Sequence, residues 1–288
     1  MKANILDSVV FRVGLVAALR SRKFGGQTIG VMITASHNPP EDNGVKLVDP
    51  MGEMLEQTWE LYSTELANAP DESVVSVYRK LEKELKIDGE APARVIFGRD
   101  TRASGPKLVT ALVDALEATG TEYTDFKLLT TPQLHYLTRC TNTEGTPQSY
   151  GQVSEKGYYE KLGKAFALAM KGKKTVGPVT VDCANGVGGL KLAELLKYLP
   201  KGSEGGVDIK IINDDILKAE VLNYEVCHGP KIDLPDTDFY SAEQISSRQS
   251  SEHHLPQNLA ITAAAVPLMV MLTVSSTTST TPTMVSDC

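Results

Sequence analysis

A serine in a short polar loop is the residue best placed for chemistry. The apolar run Thr28–Ile33 is typical of a buried strand. The sequence TASHNPP that follows is typical of a loop. Because α/β proteins bind ligands at the carboxyl ends of parallel strands, Ser36 lies where a ligand would be expected. The alternative is a plain turn in which Ser36 and Asn38 bond their own backbone, and the residue types alone favour it.

Two further side chains close to Ser36 in the sequence could hold or transfer a proton. His37 is the next residue, and an imidazole can donate a hydrogen bond or move a proton near neutral pH. Lys46 follows the tight turn that Asn43-Gly44 indicates, and its long side chain could reach back toward the same loop.

A second candidate loop has the sequence GRDTR and follows the predicted strand at 94–97. Arg99 and Arg102 could bind a phosphate bidentately, with Asp100 between them holding one guanidinium in place. A salt-bridge cluster on the surface, capping the next helix, is the alternative, and the residues alone favour it.

A glycine-rich loop at 182–189 (DCANGVGG) lies between a predicted strand and a predicted helix. It could bind an anion at the helix N-terminus, although a tight turn with close helix–strand packing explains it as well. It is not the dinucleotide fingerprint, because Lys191 occupies the third glycine position, and no Gly-Lys-Ser/Thr follows as in a P-loop. We expect Cys183 to be a buried thiol and not a nucleophile.

The elements that would position these loops alternate between strands and helices. Helical apolar spacing is found at 9–20, 55–66, 74–85, 108–116, 158–166 and 192–199, and strand-like runs at 28–33, 45–48, 94–97, 126–129, 179–181 and 207–212. Ser104 is the predicted N-cap of the fourth helix. Repeated strand–loop–helix order predicts an α/β fold with a largely parallel sheet. Residues 141–151 are polar and turn-rich, which predicts a linker.

We therefore expect one complete α/β/α domain at 1–140, a partial second α/β domain at 141–225, and an irregular, disordered tail at 226–288. The net charge of −7 argues against general nucleic-acid binding. The apolar run 260–274 is too short to span a bilayer and contains a proline. Four scattered cysteines and no signal-peptide pattern predict a cytoplasmic protein with free thiols.

Taken together, three of these strings resemble the first domain of the α-D-phosphohexomutase superfamily: TASHNP at 34–39, DNGVK at 42–46 and GRDTR at 98–102. Further strings are similar to the phosphoacetylglucosamine mutase subgroup, namely NGVKLVDP at 43–50, LLTTPQLHY at 128–136, GYYEKLGKAF at 157–166 and VDCANG at 181–186. The resemblance extends from near Val9 to about Tyr224.

The resemblance implies a three-layer α/β/α phosphohexomutase-type domain and an isomerase. Its amino-sugar phosphate substrate is N-acetylglucosamine 6-phosphate, converted to the 1-phosphate through a bisphosphate in UDP-N-acetylglucosamine biosynthesis. Ser36 would carry the phosphoryl group, bind one Mg²⁺ through it, and be primed by a sugar bisphosphate. Lys46 matches the lysine that transfers a proton in this family. His37 and Asn38 match loop residues beside the phosphate, and Arg99 and Arg102 match arginines near the active site.

The chain also departs from the family pattern. No Asp-Gly-Asp-Ala-Asp-Arg metal loop is present in the sequence, so the aspartate ligands of the Mg²⁺ are absent. The sugar loop of the third domain and the phosphate loop of the fourth are absent as well. We expect a truncated or mis-spliced product, or a faulty gene prediction. The alternative function is an inactive fragment that binds a sugar phosphate or a partner protein, and the oligomeric state stays open.

Overall fold

The structure, a computed structural model, describes residues 1–173, 178–223 and 260–262. The chain forms two compact units. Residues 1–35 and 41–155 make up the first unit, whereas 36–40 group with the second, which continues from Lys156 onward. Each unit contains a β-sheet of its own.

The first unit is built on a four-stranded sheet with the strand order β2-β1-β3-β4. The strands are β1 (Thr28–Ile33), β2 (Val45–Val48), β3 (Arg94–Arg99) and β4 (Glu122–Leu128). β1, β3 and β4 are parallel, and β2 pairs with β1 in the antiparallel direction. Ile33 pairs with Arg99 at the carboxyl ends of β1 and β3, so the loops after these two strands leave the same edge of the sheet.

Helices cover both faces of this sheet, and they are α1 (Asp7–Lys23), α2 (Trp59–Ala67), α3 (Val74–Glu84), α4 (Gly105–Ala118) and α5 (Thr131–Thr143). Ile29, Val31 and Ile33 alternate along β1 into a core that they share with α1 and α4. Gly30 lies on the other face, where a Cβ would come 2.5 Å from Thr138 Oγ1 of α5. Glycine therefore permits the close approach of α5, and the predicted three-layer α/β/α architecture is confirmed.

The second unit contains a parallel sheet with the order β6-β5-β7. Its elements are α6 (Glu155–Met170), β5 (Val179–Asp182), α7 (Val187–Leu195), β6 (Ile209–Ile212) and β7 (Ala260–Thr262). Its core among the described residues is small and contains Tyr159, Val181, Cys183, Leu192 and Leu195. Within the described ranges, no helix has the length and apolar character that crossing a bilayer requires.

The tail prediction differs from the structure at one place. Residues 226–288 were expected to lack regular structure, but Ala260–Thr262 pair with β5 as a parallel strand. The pairing with β5 is a contact between distant parts of the chain, which the local sequence does not predict. The rest of the predicted tail lies outside the described residues.

The sequence did not predict α5, and the predicted linker therefore began too early. The helix continues to Thr143, so residues 141–143 are helical. A capping box begins it: the backbone N–H of Thr130 donates to Gln133 Oε1 at 2.9 Å. Near its end, Asn142 Oδ1 accepts the Thr28 N–H at 2.7 Å, which fastens the last turn to the start of β1.

Candidate active site

The Ser36 turn comes directly after β1. Ser36 is exposed and has a φ of +52°, a left-handed conformation that is uncommon for residues other than glycine. The residues beside it, His37 and Asn38, are half-buried. These three residues belong to the segment 36–40, which groups with the second unit. The turn therefore places Ser36 at the surface in a left-handed backbone bend.

Asn223 anchors this turn, and the sequence analysis did not identify it. Its Nδ2 donates to the carbonyl of Ser36 at 2.8 Å and to the carbonyl of Asn38 at 3.0 Å. Its backbone N–H donates to the carbonyl of Ala184 at 3.1 Å. Asn223 lies 187 residues from Ser36 along the chain, so no local pattern could have indicated the contact.

The predicted glycine-rich loop contacts Asn223 through the carbonyl of Ala184. Asp182 Oδ1 accepts the Ala184 N–H at 2.8 Å, and its Oδ2 accepts Asn213 Nδ2 at 3.0 Å. Ala184, Asn185 and Asn213 all have positive φ, so this loop is a tightly bonded turn. Helix α7 begins after it at Val187.

Cys183, in the same loop, is 1% exposed. Burial, together with the nearby carboxylates of Asp182 and Asp214, raises the pKa of its thiol to about 12. The thiol therefore stays protonated near neutral pH, and the structure agrees with the prediction of a buried, unreactive group.

The GRDTR loop of the first unit is organised around Asp100. Its Oδ2 accepts Thr34 Oγ1 at 2.7 Å, and its backbone N–H donates to the carbonyl of Ile33 at 3.1 Å. Its Oδ1 accepts the Arg102 N–H at 3.0 Å, and Arg102 Nε lies 3.1 Å from Oδ2. Asp100 thus connects the residues that follow β1 to the loop that follows β3.

Arg102 and Arg99 have different surroundings. The side chain of Arg102 is 0% exposed, so the ion pair with Asp100 is buried and is not the surface cluster considered as an alternative. Burial lowers the pKa of the Arg102 guanidinium, and the charge of Asp100 opposes that effect. Arg99 is half-buried at the end of β3, where its Nη1 donates to the carbonyl of Asp100 at 3.2 Å.

Lys46 and Ser104 are two further predicted residues of the first unit. Lys46 is half-buried on β2, opposite Met32 and close to the end of β1. Ser104, the predicted N-cap of α4, occupies that position but makes no capping hydrogen bond with its side chain. Its Oγ instead accepts Asn43 Nδ2 at 2.8 Å, which fixes the turn before β2.

A magnesium ion, which the family resemblance implies, finds no set of protein ligands among the described residues. No three His, Cys, Asp or Glu side chains come together there in a way that could hold a metal ion. Mg²⁺ binds through oxygen ligands in octahedral geometry, and one serine phosphate supplies only part of such a set.

Comparison with known proteins identifies the class of the first domain. Residues 15–69 and 71–147 match the family described as phosphoglucomutase/phosphomannomutase, alpha/beta/alpha domain I. Except for residues 36–40, this match lies within the three-layer first unit, whose class is therefore similar to that of the phosphohexomutase domain I.

Within that class, the similarity is to phosphoacetylglucosamine mutases. The Candida albicans enzyme is 45% identical over 241 residues, which cover 78% of this chain and 43% of that protein. The human enzyme is 46% identical over 217 residues, which cover 74% of this chain and 39% of that protein. The chain therefore spans about two fifths of the length of these relatives, and the predicted resemblance to phosphoacetylglucosamine mutases is confirmed.

Solved structures show the same relationship. N-acetylphosphoglucosamine mutase of Aspergillus fumigatus, solved with N-acetylglucosamine 6-phosphate and magnesium, is 60% identical, with a TM-score of 0.73. A serine-to-alanine variant of that enzyme, solved with glucose 1,6-bisphosphate, is also 60% identical and has a TM-score of 0.76. Each match covers 78% of this chain and 41% of the other chain.

Proposed function

We propose that this chain carries the phosphoserine-bearing portion of a phosphoacetylglucosamine mutase and that Ser36 is the phosphoryl carrier. The observation that supports this most directly is the Ser36 turn. Ser36 is exposed, and its backbone carbonyl accepts a hydrogen bond from Asn223. It follows a central strand in a chain similar to mutases that have been solved with sugar phosphates.

The proposed substrate class is an amino-sugar phosphate, N-acetylglucosamine 6-phosphate. Its 1-hydroxyl attacks the phosphorus of phosphorylated Ser36. The new O–P bond forms while the bond from Oγ to phosphorus breaks, and Lys46 or His37 takes the hydroxyl proton. The resulting 1,6-bisphosphate then returns its 6-phosphoryl group to Ser36, and the proton returns to the 6-oxygen. The product is the 1-phosphate, a precursor for UDP-N-acetylglucosamine, and a sugar bisphosphate primes the first turnover.

Charge and position support these roles, because phosphoryl transfer depends mainly on both. In this proposal Arg99 and Lys46 provide positive charge toward the phosphate, and Asn38 shapes the turn that carries it. Arg102 has an enclosed guanidinium, so we assign it to holding Asp100 in addition to the phosphate-binding role that the resemblance implies. These assignments are predictions that substitution can test.

The experiment that tests the proposal is phosphoryl transfer to the protein itself. The purified chain is incubated with glucose 1,6-bisphosphate and magnesium, and peptide mass spectrometry locates any phosphoryl group. We expect phosphorylation at Ser36, none in Ser36→Ala, and unchanged labelling in Ser8→Ala, which removes another exposed serine hydroxyl. A chain that folds and gains no phosphoryl group at Ser36 would contradict the proposal.

The second candidate function is binding of a sugar phosphate, or of a partner protein, without turnover. It is supported by the described residues, which bring no three His, Cys, Asp or Glu side chains together in a way that could hold a metal ion. A coupled assay with N-acetylglucosamine 6-phosphate distinguishes the two functions. Turnover that is lost in Ser36→Ala supports the mutase, whereas calorimetric binding of the sugar phosphate without turnover supports the second function.

A further inference from the structure

The side chain of Asn223 uses both of its amide hydrogens on the Ser36 turn. The acceptors are the carbonyls of Ser36 and Asn38, at 2.8 and 3.0 Å. Both acceptors are carbonyl oxygens, so the amide must point its Nδ2 toward them, and the opposite orientation would place oxygen against oxygen. Asn223 is itself 8% exposed, so the bonds are shielded from water.

A continuous series of hydrogen bonds joins this amide to the sheet of the second unit. Asp182, at the end of β5, accepts the Ala184 N–H at 2.8 Å, and the Ala184 carbonyl accepts the Asn223 N–H at 3.1 Å. The side chain of Asn223 then donates to the Ser36 turn. The turn is therefore fastened to a buried strand through one asparagine.

Ser36 needs such an anchor because its backbone conformation is unfavourable for an L-residue other than glycine. We infer that Asn223 is a positioning residue that holds Ser36 in its left-handed conformation and so directs the serine hydroxyl. The inference goes beyond the family resemblance and rests on the proposed role of Ser36 only where it concerns phosphoryl transfer.

The backbone of Asn223 provides a clean way to test this inference. Its φ is +59°, which asparagine tolerates and glycine adopts freely. Asn223→Gly therefore removes the amide without straining the backbone. Asn223→Asp keeps the shape but places carboxylate oxygens against two carbonyls. Asn213→Gly is the matched control, because Asn213 also has a positive φ (+49°) and its amide donates to Asp182 Oδ2, whereas the series that leads to Asn223 uses Asp182 Oδ1.

The first measurement is the backbone chemical shift of Ser36 in the full chain labelled on serine, with the signal assigned by its loss in Ser36→Ala. We expect the Ser36 signal to move toward the position of an unstructured serine in Asn223→Gly, and further in Asn223→Asp. It should stay in place in Asn213→Gly. A Ser36 signal that does not move in Asn223→Asp overturns the inference, provided that thermal unfolding shows a folded chain.

The second measurement is the rate of Ser36 phosphorylation at saturating glucose 1,6-bisphosphate. We expect a fall of about tenfold or more in both Asn223 variants, since misplacement of a reacting group is costly in rate. Asn213→Gly should keep the original rate. If the unsubstituted chain gains no phosphoryl group while the Ser36 shift still depends on Asn223, the proposed function fails and the positioning role stands.

Discussion

At the scale of single residues, the structure makes Asp100 the partner of a fully enclosed arginine. Replacing it by asparagine keeps the shape but removes the strongest counter-charge of the buried Arg102, and the charges of Asp42 and Glu41 act on it more weakly. We expect Asp100→Asn to lower the free energy of unfolding of the first unit by about 3 kcal/mol, the usual result of breaking a buried ion pair. Urea denaturation measures this change.

The control for that prediction is Asp125→Asn. Asp125 pairs with Lys127 at 2.6 Å, but the lysine side chain is 74% exposed. We expect a change of no more than about 0.5 kcal/mol, because exposed ion pairs contribute little. If both substitutions changed the free energy of unfolding equally, the burial of Arg102 would not be the cause of the loss that we predict for Asp100→Asn.

The thiol of Cys183 gives a prediction about pH. Its pKa is raised to about 12 by burial, so at pH 8.5 only about one folded molecule in three thousand carries the thiolate, compared with about half for a free cysteine. We expect alkylation of Cys183 to be about a thousandfold slower in the folded chain than in urea. Mass mapping of the Cys183 peptide measures both rates.

The same shift sets the direction of a stability change. Since the folded-state pKa lies above the unfolded value, the folded state keeps its proton while the unfolded state loses it. The contribution of this thiol to the free energy of unfolding is therefore fully present below about pH 8.5 and is lost as the pH rises toward 12. Rapid labelling of Cys183 in the folded chain at pH 8.5 would contradict both statements.

At the scale of elements, the start of α5 offers a test of a capping box. Thr130 and Gln133 satisfy each other's backbone N–H groups. We expect Thr130→Ala to cost about 1 kcal/mol, and Thr130→Ser to be nearly neutral. The matched control is Ser73→Ala at the N-cap of α3, where the serine makes no capping bond with its side chain. A loss at Ser73 as large as that at Thr130 would argue against the assigned cap.

Local sequence explains most elements of the first unit but not α5. β1 and β2 begin and end where their short apolar runs predict. All six residues of β1 are buried, and burial on both faces of a sheet selects such a run. In α5 the buried positions include Gln133, Thr138 and Thr143, so its apolar stripe is interrupted by polar residues. Thr138 Oγ1 donates to the Leu134 carbonyl and Thr143 Oγ1 to the Arg139 carbonyl, both at 2.8 Å, so the helix itself satisfies these buried hydroxyl groups. The Thr-x-x-Gln capping pattern was the local signal available.

The candidate site also contains some residues that the local sequence predicts and others that it does not. Ser36, Lys46 and the two arginines could be proposed from short strings, because a loop's residue types are local information. The burial of Arg102 and the hydrogen bonds that hold the Ser36 turn depend on contacts between residues that are distant in the sequence. Asn223 has no motif around it, and its contact with Ser36 forms only when the second unit folds around residues 36–40.

At the scale of the whole molecule, the two units have cores of different size. The core of the first unit includes residues from α1, α2, α3, α4 and three strands, whereas that of the second is small among the described residues. Because stability rises with buried apolar area, we expect the second unit to unfold at a lower urea concentration than the first. Ser36–Pro40 should unfold with the second unit, although β1 immediately precedes them in the chain.

Three serines report on this order in one titration of the serine-labelled chain. Ser21 is buried in the first unit, where its Oγ donates to the Gln27 carbonyl at 2.6 Å, and Ser203 lies in the second unit. We expect the folded signal of Ser36 to disappear together with that of Ser203 and before that of Ser21. A Ser36 signal that follows Ser21 would mean that β1 alone holds the turn. A single transition for all three would mean that the units unfold as one.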